Sequence, residues 1–181
     1  MSTRPLVRGV TLVELAVVLA IMAIVLGWAV PAMARWVQDI RASALANALV
    51  SDLQRARSEA IRRGTPAVLC TRAGPVCGVD GWESGWLLFA DTNDNARLDP
   101  GEETIREAPA APHGWRFRGN SPVARYVAYH ALGQTKMVNG AFQAGTLTLC
   151  PGPAGQGAAR KVVINSHGRP RLERGLPGSC D

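Results

Sequence analysis

The distribution of apolar and polar residues places a long hydrophobic block near the N-terminus. Residues 10–30 are apolar almost throughout, and only Thr11 and Glu14 are plainly polar. A helix of this length would span roughly 30 Å, which is the thickness of the hydrocarbon core of a bilayer. The pattern therefore predicts a membrane-spanning helix over residues 10–31.

Helical periodicity continues after this block, but the pattern becomes amphipathic. Residues 32–63 contain neither Gly nor Pro, and arginines occupy positions on the helical wheel outside one apolar stripe. The stripe consists of Leu45, Leu49, Leu53, Ala56 and Ala60. Gly64 and Pro66 would end the helix. We predict an amphipathic helix over residues 32–64 whose apolar face packs against a sheet.

From residue 65 onward, short β-like runs alternate with turn residues. The runs are 67–71, 85–90, 115–117, 125–129, 146–150 and 161–165. One long helix followed by a series of strands is typical of the α+β class. The expected architecture is a long N-terminal helix, transmembrane and then amphipathic, packed on an antiparallel β-sheet head that residues 65–181 form.

The segment before the apolar block indicates the side of the membrane. Residues 1–9 carry Arg4 and Arg8 and no acid. By the positive-inside rule these arginines keep the N-terminus in the cytoplasm, so the rest of the chain would be exported. The length of 181 residues suits one small domain with accessory segments, which argues against a multidomain enzyme.

Four cysteines agree with an exported chain, because they are even in number and show no metal-ligand spacing. They are Cys70, Cys77, Cys150 and Cys180. Four cysteines allow three connectivities, and we favour Cys70 with Cys77 and Cys150 with Cys180. The first pair brackets a Gly-Pro turn, and the second would tether the C-terminus.

A carboxylate inside the apolar block needs an explanation, because Glu14 would cost at least ~2.5 kcal/mol in a membrane without a partner. The string from Arg8 to Leu15 resembles the processing site of type IV prepilins and pseudopilins. A basic leader ends in Gly9, and an apolar residue, Thr, Leu and finally Glu at the fifth mature position follow. The resemblance implies that a prepilin peptidase cleaves after Gly9 and N-methylates Val10. It also implies that Glu14 pairs with the terminal amine of a neighbouring subunit.

Two alternatives remain for the apolar block: a secretory signal peptide ending at Ala32-Met33-Ala34, and a plain single-span anchor. The block is longer than the hydrophobic part of an ordinary signal peptide, and neither alternative accounts for Glu14. The prepilin interpretation implies a single span in the bacterial inner membrane with a periplasmic head, before assembly into an extracellular pilus. The partners would be the prepilin peptidase and other pilin subunits, which the N-terminal helix contacts.

Two further segments carry a resemblance: Gly168-Arg169-Pro170-Arg171 near the C-terminus, and residues 85–95, which look like a GW-x-x-F-x-D-x-N-x-N segment. The second segment is similar to one that is common in the FimT/GspH family of minor pilins and pseudopilins, and the first matches the GRxR motif of the FimT group within that family. FimT-like minor pilins are linked to DNA uptake in natural transformation. The resemblance therefore implies that Arg169 and Arg171 contact DNA, with Gly168 forming the turn of a loop from which both guanidinium groups project.

Charge is unevenly distributed along the predicted head. Residues 80–107 hold eight acids and two bases, whereas residues 108–172 hold eight bases and no acid. Such a basic field would attract a polyanion through phosphate contacts that depend on salt but not on sequence. This electrostatic argument adds further candidates for DNA contact, while an arginine-rich surface without a ligand remains the alternative. The added candidates are Arg116, Arg118, Lys136, Arg160 and Lys161.

The sequence gives weaker support to calcium binding, to base stacking and to catalysis. Acidic and amide side chains between Asp91 and Glu102 fall on the ligand positions of a calcium loop, but Ala96 stands where that loop needs Gly. This favours a hairpin loop whose Asx side chains bond their own backbone. The tryptophans of the head are expected in the core rather than stacked on bases. The sequence contains no catalytic motif, so we predict a protein that is not an enzyme and uses no metal or cofactor.

Together these observations predict a FimT-like minor pilin whose basic loops bind extracellular DNA without sequence preference, for DNA uptake and pilus assembly. The alternative is a GspH-like minor pseudopilin of a type II secretion system, whose head contacts protein and not DNA. A purely structural priming subunit is a third option. The GRxR motif and a net charge of +6 favour DNA binding.

Overall fold

The computed structural model describes residues 9, 11–78, 81–152 and 158–175. Their secondary structure consists of one long helix, α1 (Leu12–Arg63), nine strands and two short 3-10 helices. The strands are β1 (Ala67–Ala73), β2 (Val76–Cys77), β3 (Trp86–Ala90), β4 (Thr104–Glu107), β5 (Arg116–Gly119), β6 (Tyr126–Tyr129), β7 (Gly145–Cys150), β8 (Arg160–Ile164) and β9 (Pro170–Arg174). The chain forms two compact units, Met1–Val37 and Gln38–Asp181.

The start and the end of α1 follow from local chemistry. Thr11 caps the N-terminus, since its Oγ1 accepts a hydrogen bond from the Glu14 backbone N–H at 3.2 Å. The helix continues through Pro31 and ends at Arg63. Gly64 follows with φ +69°, a conformation that suits Gly at the end of a helix. The predicted long helix is confirmed.

The first unit contains the apolar part of α1. Its large apolar side chains are exposed from Leu12 to Trp36. The helix is long and apolar enough to cross a membrane, and its most apolar stretch is 0% buried. The hydrocarbon core of a bilayer is an environment in which such a surface is stable.

The second unit contains two antiparallel sheets. The strand order of the first sheet is β6–β1–β3–β4, with β2 paired to the end of β1. The second sheet has the order β5–β7–β8–β9. All six predicted runs form strands, whereas the sequence pattern does not reveal β2, β4 or β9.

The apolar stripe of α1 packs against the inner faces of both sheets. Leu49, Leu53, Ala56 and Ala60 are fully buried, as the pattern predicts, whereas Leu45 is partly buried. These small and medium side chains let the strands lie close to the helix. The amphipathic helix is therefore a core element of the head.

Tryptophans fill the core beside this stripe. Trp82 and Trp86 are fully buried, and Trp115 is nearly so. Trp86 Nε1 donates a hydrogen bond to the Asp52 carboxylate of α1 at 2.9 Å, which links β3 to the helix. The expected core position of the tryptophans is confirmed.

One predicted disulfide lies within the described residues. Cys70 on β1 is bonded to Cys77 on β2, across the Gly-Pro turn, as predicted. Cys150 is also disulfide-bonded, while Cys180 lies outside the described residues. The pairing of these two cysteines stays a prediction.

The loop of residues 91–102 bonds to itself, as the Asx interpretation predicts. The Asp91 carboxylate accepts the backbone N–H groups of Asn95 and Ala96 at 3.2 and 2.8 Å. The Asp99 carboxylate accepts the side-chain amide of Asn95 at 2.6 Å. Among the described residues, no group of three or more His, Cys, Asp or Glu is arranged to hold a metal ion.

Candidate nucleic-acid interface

The outer surface of the second sheet brings several predicted DNA contacts together. Side chains alternate along each strand, so Phe117, Leu147 and Val162 point into the core while their neighbours point outward. We call the outward surface the basic sheet face. Its residues are Arg116 and Arg118 on β5, Thr146 and Thr148 on β7, Lys161 and Val163 on β8, and Arg171 and Glu173 on β9.

Strand register aligns these residues in rows. Arg118 lies opposite Thr148, which lies opposite Lys161. Lys161 in turn lies opposite Glu173, and Arg171 occupies the adjacent row. A groove of about 840 Å³ follows this surface. Because neighbouring strands are ~4.8 Å apart, the backbones that carry Arg118 and Lys161 are separated by about 10 Å.

Two carboxylates partly neutralise the basic sheet face. Glu83 pairs with Arg118 at 2.8 Å and also accepts the backbone N–H of Phe117 at 3.1 Å, which holds it at the edge of β5. Glu173 pairs with Arg171 at 2.8 Å. The arginine side chains are nevertheless 67% and 70% exposed. Each can therefore exchange its carboxylate for a phosphate.

Arg160 does not belong to this surface, and its prediction as a DNA contact is wrong. It precedes Lys161 on β8 and therefore points to the opposite side, toward α1. Its guanidinium donates to Asp39 at 2.5 Å and to the Ser43 hydroxyl at 3.1 Å, and its side chain is 5% exposed. The hydrogen bond from Arg160 lowers the pKa of Asp39, and the nearby Arg174 lowers it further. Arg160 ties the sheet to the helix.

The GRxR motif forms a tight β-hairpin rather than a loop after the last strand, which corrects the predicted geometry. Gly168 occupies the turn between β8 and β9, and Arg171 belongs to β9 itself. Asn165 closes the turn, because its Oδ1 accepts the Arg169 backbone N–H at 2.9 Å. Gly168 has φ +72°, and a Cβ there would lie 2.7 Å from the Gly133 carbonyl oxygen. The backbone of Gly168 therefore packs directly against Gly133 and positions the hairpin.

Arg169 lines a different pocket from the groove on the basic sheet face. This pocket measures about 390 Å³, and Arg57 and His167 also line it. The sequence pattern does not single out Arg57, because it treats the arginines outside the apolar stripe of α1 alike. Only the packing of the hairpin distinguishes Arg57 from its neighbours on the helix.

Lys136 lines neither the groove on the basic sheet face nor the Arg169 pocket. It borders a pocket of about 280 Å³ together with Asp94 and His130. The Asp94 carboxylate approaches His130 Nε2 at 3.7 Å. A carboxylate beside Lys136 makes this pocket less attractive to an anion. The predicted DNA contacts are thus divided among the basic sheet face, the Arg169 pocket and Lys136.

The predicted processing site lies at the beginning of α1. Val10 is outside the described residues, and Gly9 precedes it. Glu14 is exposed in the first turn of the helix, where a negative charge is favourable. The Thr11 cap uses the backbone N–H of Glu14, so its carboxylate is not needed for the cap.

A long helix with an apolar, exposed first part and two antiparallel sheets in the following unit defines a type IV pilin-like protein. A family model described as "Type II transport protein GspH" matches residues 45–168, and a model described as "Prokaryotic N-terminal methylation motif" matches residues 4–30. The chain belongs to the GspH family, and hence to the FimT/GspH group that its sequence resembles. The family consists of structural pilins and pseudopilins rather than enzymes.

Known proteins support the same assignment. The pilin-like protein PilA1 of Thermus thermophilus is 34% identical over 169 residues, which cover 92% of this chain and 98% of that protein. The type IV minor pilin FimU of Pseudomonas aeruginosa superimposes with a TM-score of 0.56 at 19% identity, over 76% of this chain and 92% of FimU. The minor pseudopilin EpsH of the Vibrio cholerae type 2 secretion system gives 0.50 at 15% identity, over 77% and 99%. These two structures share the fold.

Proposed function

We propose that the protein is a minor type IV pilin whose head binds extracellular DNA without sequence preference, for DNA uptake in natural transformation and for pilus assembly. The observation that carries the proposal is that Arg116, Arg118, Lys161 and Arg171 share one sheet face. The first three of them also border one groove. Residues that are dispersed over about fifty positions of sequence are thereby placed where one ligand would contact them.

The chemistry of the basic sheet face suits a phosphate backbone. Arginine offers paired N–H donors to phosphate oxygens, and Thr146 and Thr148 add hydroxyl groups between the charged strands. Contacts to phosphate hold a duplex without reading its bases, so binding would be independent of sequence. DNA would replace Glu83 on Arg118 and Glu173 on Arg171, which moderates the affinity.

The N-terminal unit carries the assembly part of the proposal. A prepilin peptidase would cleave after Gly9 and N-methylate Val10, and Glu14 would pair with the amine of a neighbouring subunit. The match to the methylation motif and the exposed apolar helix support this step. The chain would sit in the bacterial inner membrane with its head in the periplasm until it enters the pilus.

The test measures binding of duplex DNA by the full chain in a neutral detergent, over a series of salt concentrations. We expect Arg118→Ala/Lys161→Ala to weaken binding roughly tenfold and to reduce the salt slope by about 2, because two phosphate contacts are lost. The matched control, Arg55→Ala/Arg97→Ala, removes two exposed arginines away from the basic sheet face. An equal loss in the control, or no binding at low salt, would contradict the proposal.

A minor pseudopilin of a type II secretion system is the second candidate. The family description favours it. Cells that lack the protein distinguish the two functions. Loss of protein secretion with normal transformation would support the pseudopilin, and the reverse would support DNA uptake.

A further inference from the structure

Arg57 on α1 and Arg169 in the β8–β9 turn line one pocket, which we call the hairpin pocket. Its other lining residues are Leu132, Gln134, Asn165 and His167. We propose that the hairpin pocket binds a phosphate group. The natural source would be a phosphate of the DNA backbone, and to that extent the inference rests on the proposed function. It adds a helix residue, Arg57, to which neither the sequence pattern nor the GRxR motif gives a role.

Two glycines bring the helix and the hairpin to the same pocket. Gly133 has φ +73°, and a Cβ there would lie 2.8 Å from Arg57 Nε. On its other side, the Gly133 carbonyl oxygen would lie 2.7 Å from a Cβ at Gly168, whose φ is +72°. The backbone at Gly133 is therefore held between the Arg57 side chain and the hairpin that carries Arg169. A side chain at either glycine would separate the two arginines.

The charges around the hairpin pocket are not balanced by acids. Among the described residues, no Asp or Glu lines it, and the guanidinium groups of Arg57 and Arg169 form no hydrogen bond or ion pair. Other arginines near the end of α1 differ, because Arg62 and Arg63 both pair with Glu59. Two positive groups around one small pocket repel each other, and a bound oxyanion converts that repulsion into attraction.

Phosphate fits the donors that the hairpin pocket presents. Each guanidinium can donate two N–H groups to a pair of phosphate oxygens. Asn165 Oδ1 already accepts the backbone N–H groups of His167 and Arg169, at 3.1 and 2.9 Å, so its amide nitrogen is the part that remains to donate. The pocket volume of about 390 Å³ leaves room for a phosphate group.

The test uses the full chain in a neutral detergent with two probes, a short duplex DNA and inorganic phosphate. We expect Arg57→Ala to weaken DNA binding about fivefold and to lower the salt slope by about 1. It should also abolish the change that phosphate causes in the NMR signals of the His167 ring. The matched control, Arg55→Ala, removes an exposed arginine two residues away and should leave both readouts unchanged.

Arg57→Lys is the second variant, because it keeps the charge and the packing of the stem but loses the paired donors. We expect it to bind more weakly than the unmodified chain and more tightly than Arg57→Ala. Thermal melting of each variant shows whether the head is folded. If Arg57→Ala lowers the melting temperature, the binding measured for Arg57→Lys shows whether the hairpin pocket needs the paired donors of Arg57.

The outcomes separate this inference from the proposed function. DNA binding that requires Arg118 and Lys161 but is unaffected by Arg57→Ala, with no effect of phosphate on His167, overturns the hairpin pocket and leaves the proposed function intact. An effect of phosphate on His167 that requires Arg57, in a chain that binds no DNA, supports the pocket as a site for free phosphate or another phosphate ester. In that case the proposed function fails.

Discussion

The nearest carboxylate decides whether an arginine of the head is available to a ligand. Arg160 is buried against Asp39, so its charge is used within the fold. Arg118 is paired with Glu83 but exposed, so the carboxylate can be displaced. The Arg169 side chain has no bond to any described residue. Counting charges along the sequence cannot show which arginines are available to a ligand.

Asp39→Asn should destabilise the head, because it leaves the buried Arg160 without its negative partner. Breaking a fully buried pair costs ~3–5 kcal/mol, and we expect about 2 kcal/mol here because 37% of the Asp39 side chain is exposed. The melting temperature of the full chain in detergent, followed by near-UV circular dichroism at pH 7, should fall by about 4–8 °C.

The effect of Asp39→Asn should depend on pH in a defined direction. The hydrogen bond from Arg160 lowers the pKa of Asp39. The carboxylate therefore contributes stability above its unfolded pKa of ~3.9, and this contribution is lost as the pH falls through the lower pKa of the folded state. The difference between the two proteins should shrink at pH 3. Glu107→Gln, which removes an exposed acid, is the control, and a difference that is equal at both pH values would refute the role of this pair.

The β8–β9 hairpin is the element on which both candidate sites depend, because it carries Arg171 to the basic sheet face and Arg169 to the hairpin pocket. Gly168→Ala should therefore reduce stability and DNA binding together. The substitution places a side chain at φ +72°, with its Cβ 2.7 Å from the Gly133 carbonyl oxygen. We expect a loss of about 2–3 kcal/mol, of which the positive φ alone explains about 1.

Gly140→Ala separates these two causes. Gly140 has φ +83°, but nothing lies within 4 Å of a Cβ placed there. It should show the cost of the backbone conformation without the collision. Thermal melting and DNA titration of both variants check the prediction. Equal destabilisation of the two would show that the contact between Gly168 and Gly133 is unimportant.

Elements with a regular local pattern could be predicted from the sequence. The end of α1 at Arg63 follows from Gly64 and Pro66, and the six predicted strands alternate or are apolar. The edge strands β4 and β9 were beyond that reasoning, because each contains a single large apolar residue and β9 begins with Pro170. At the site, the local sequence shows that Arg116 and Arg118 lie on one face, because they are two residues apart in a strand. The local sequence does not show that Arg160 is buried, because its partner Asp39 is 121 residues away.

For the molecule as a whole, the residues proposed for assembly and those proposed for ligand binding lie in different units. Glu14 lies in Met1–Val37, whereas the basic sheet face and the hairpin pocket belong to Gln38–Asp181. Processing after Gly9 would remove two arginines and lower the formal net charge from +6 to +4. The two activities should therefore be separable by substitution.

Glu14→Gln should abolish assembly and leave DNA binding intact. A neutral amide cannot form an ion pair with the terminal amine of a neighbouring subunit, and the loss of such a pair among packed helices costs ~3–5 kcal/mol. The helix should still begin at Leu12, since Thr11 accepts the backbone N–H of residue 14. We expect the variant to be absent from pili sheared from cells, while its affinity for DNA in detergent stays within about twofold of the unmodified chain. Glu107→Gln, which removes a carboxylate from β4, should enter pili normally. Normal incorporation of Glu14→Gln would show that this carboxylate does not guide assembly, whatever the head binds.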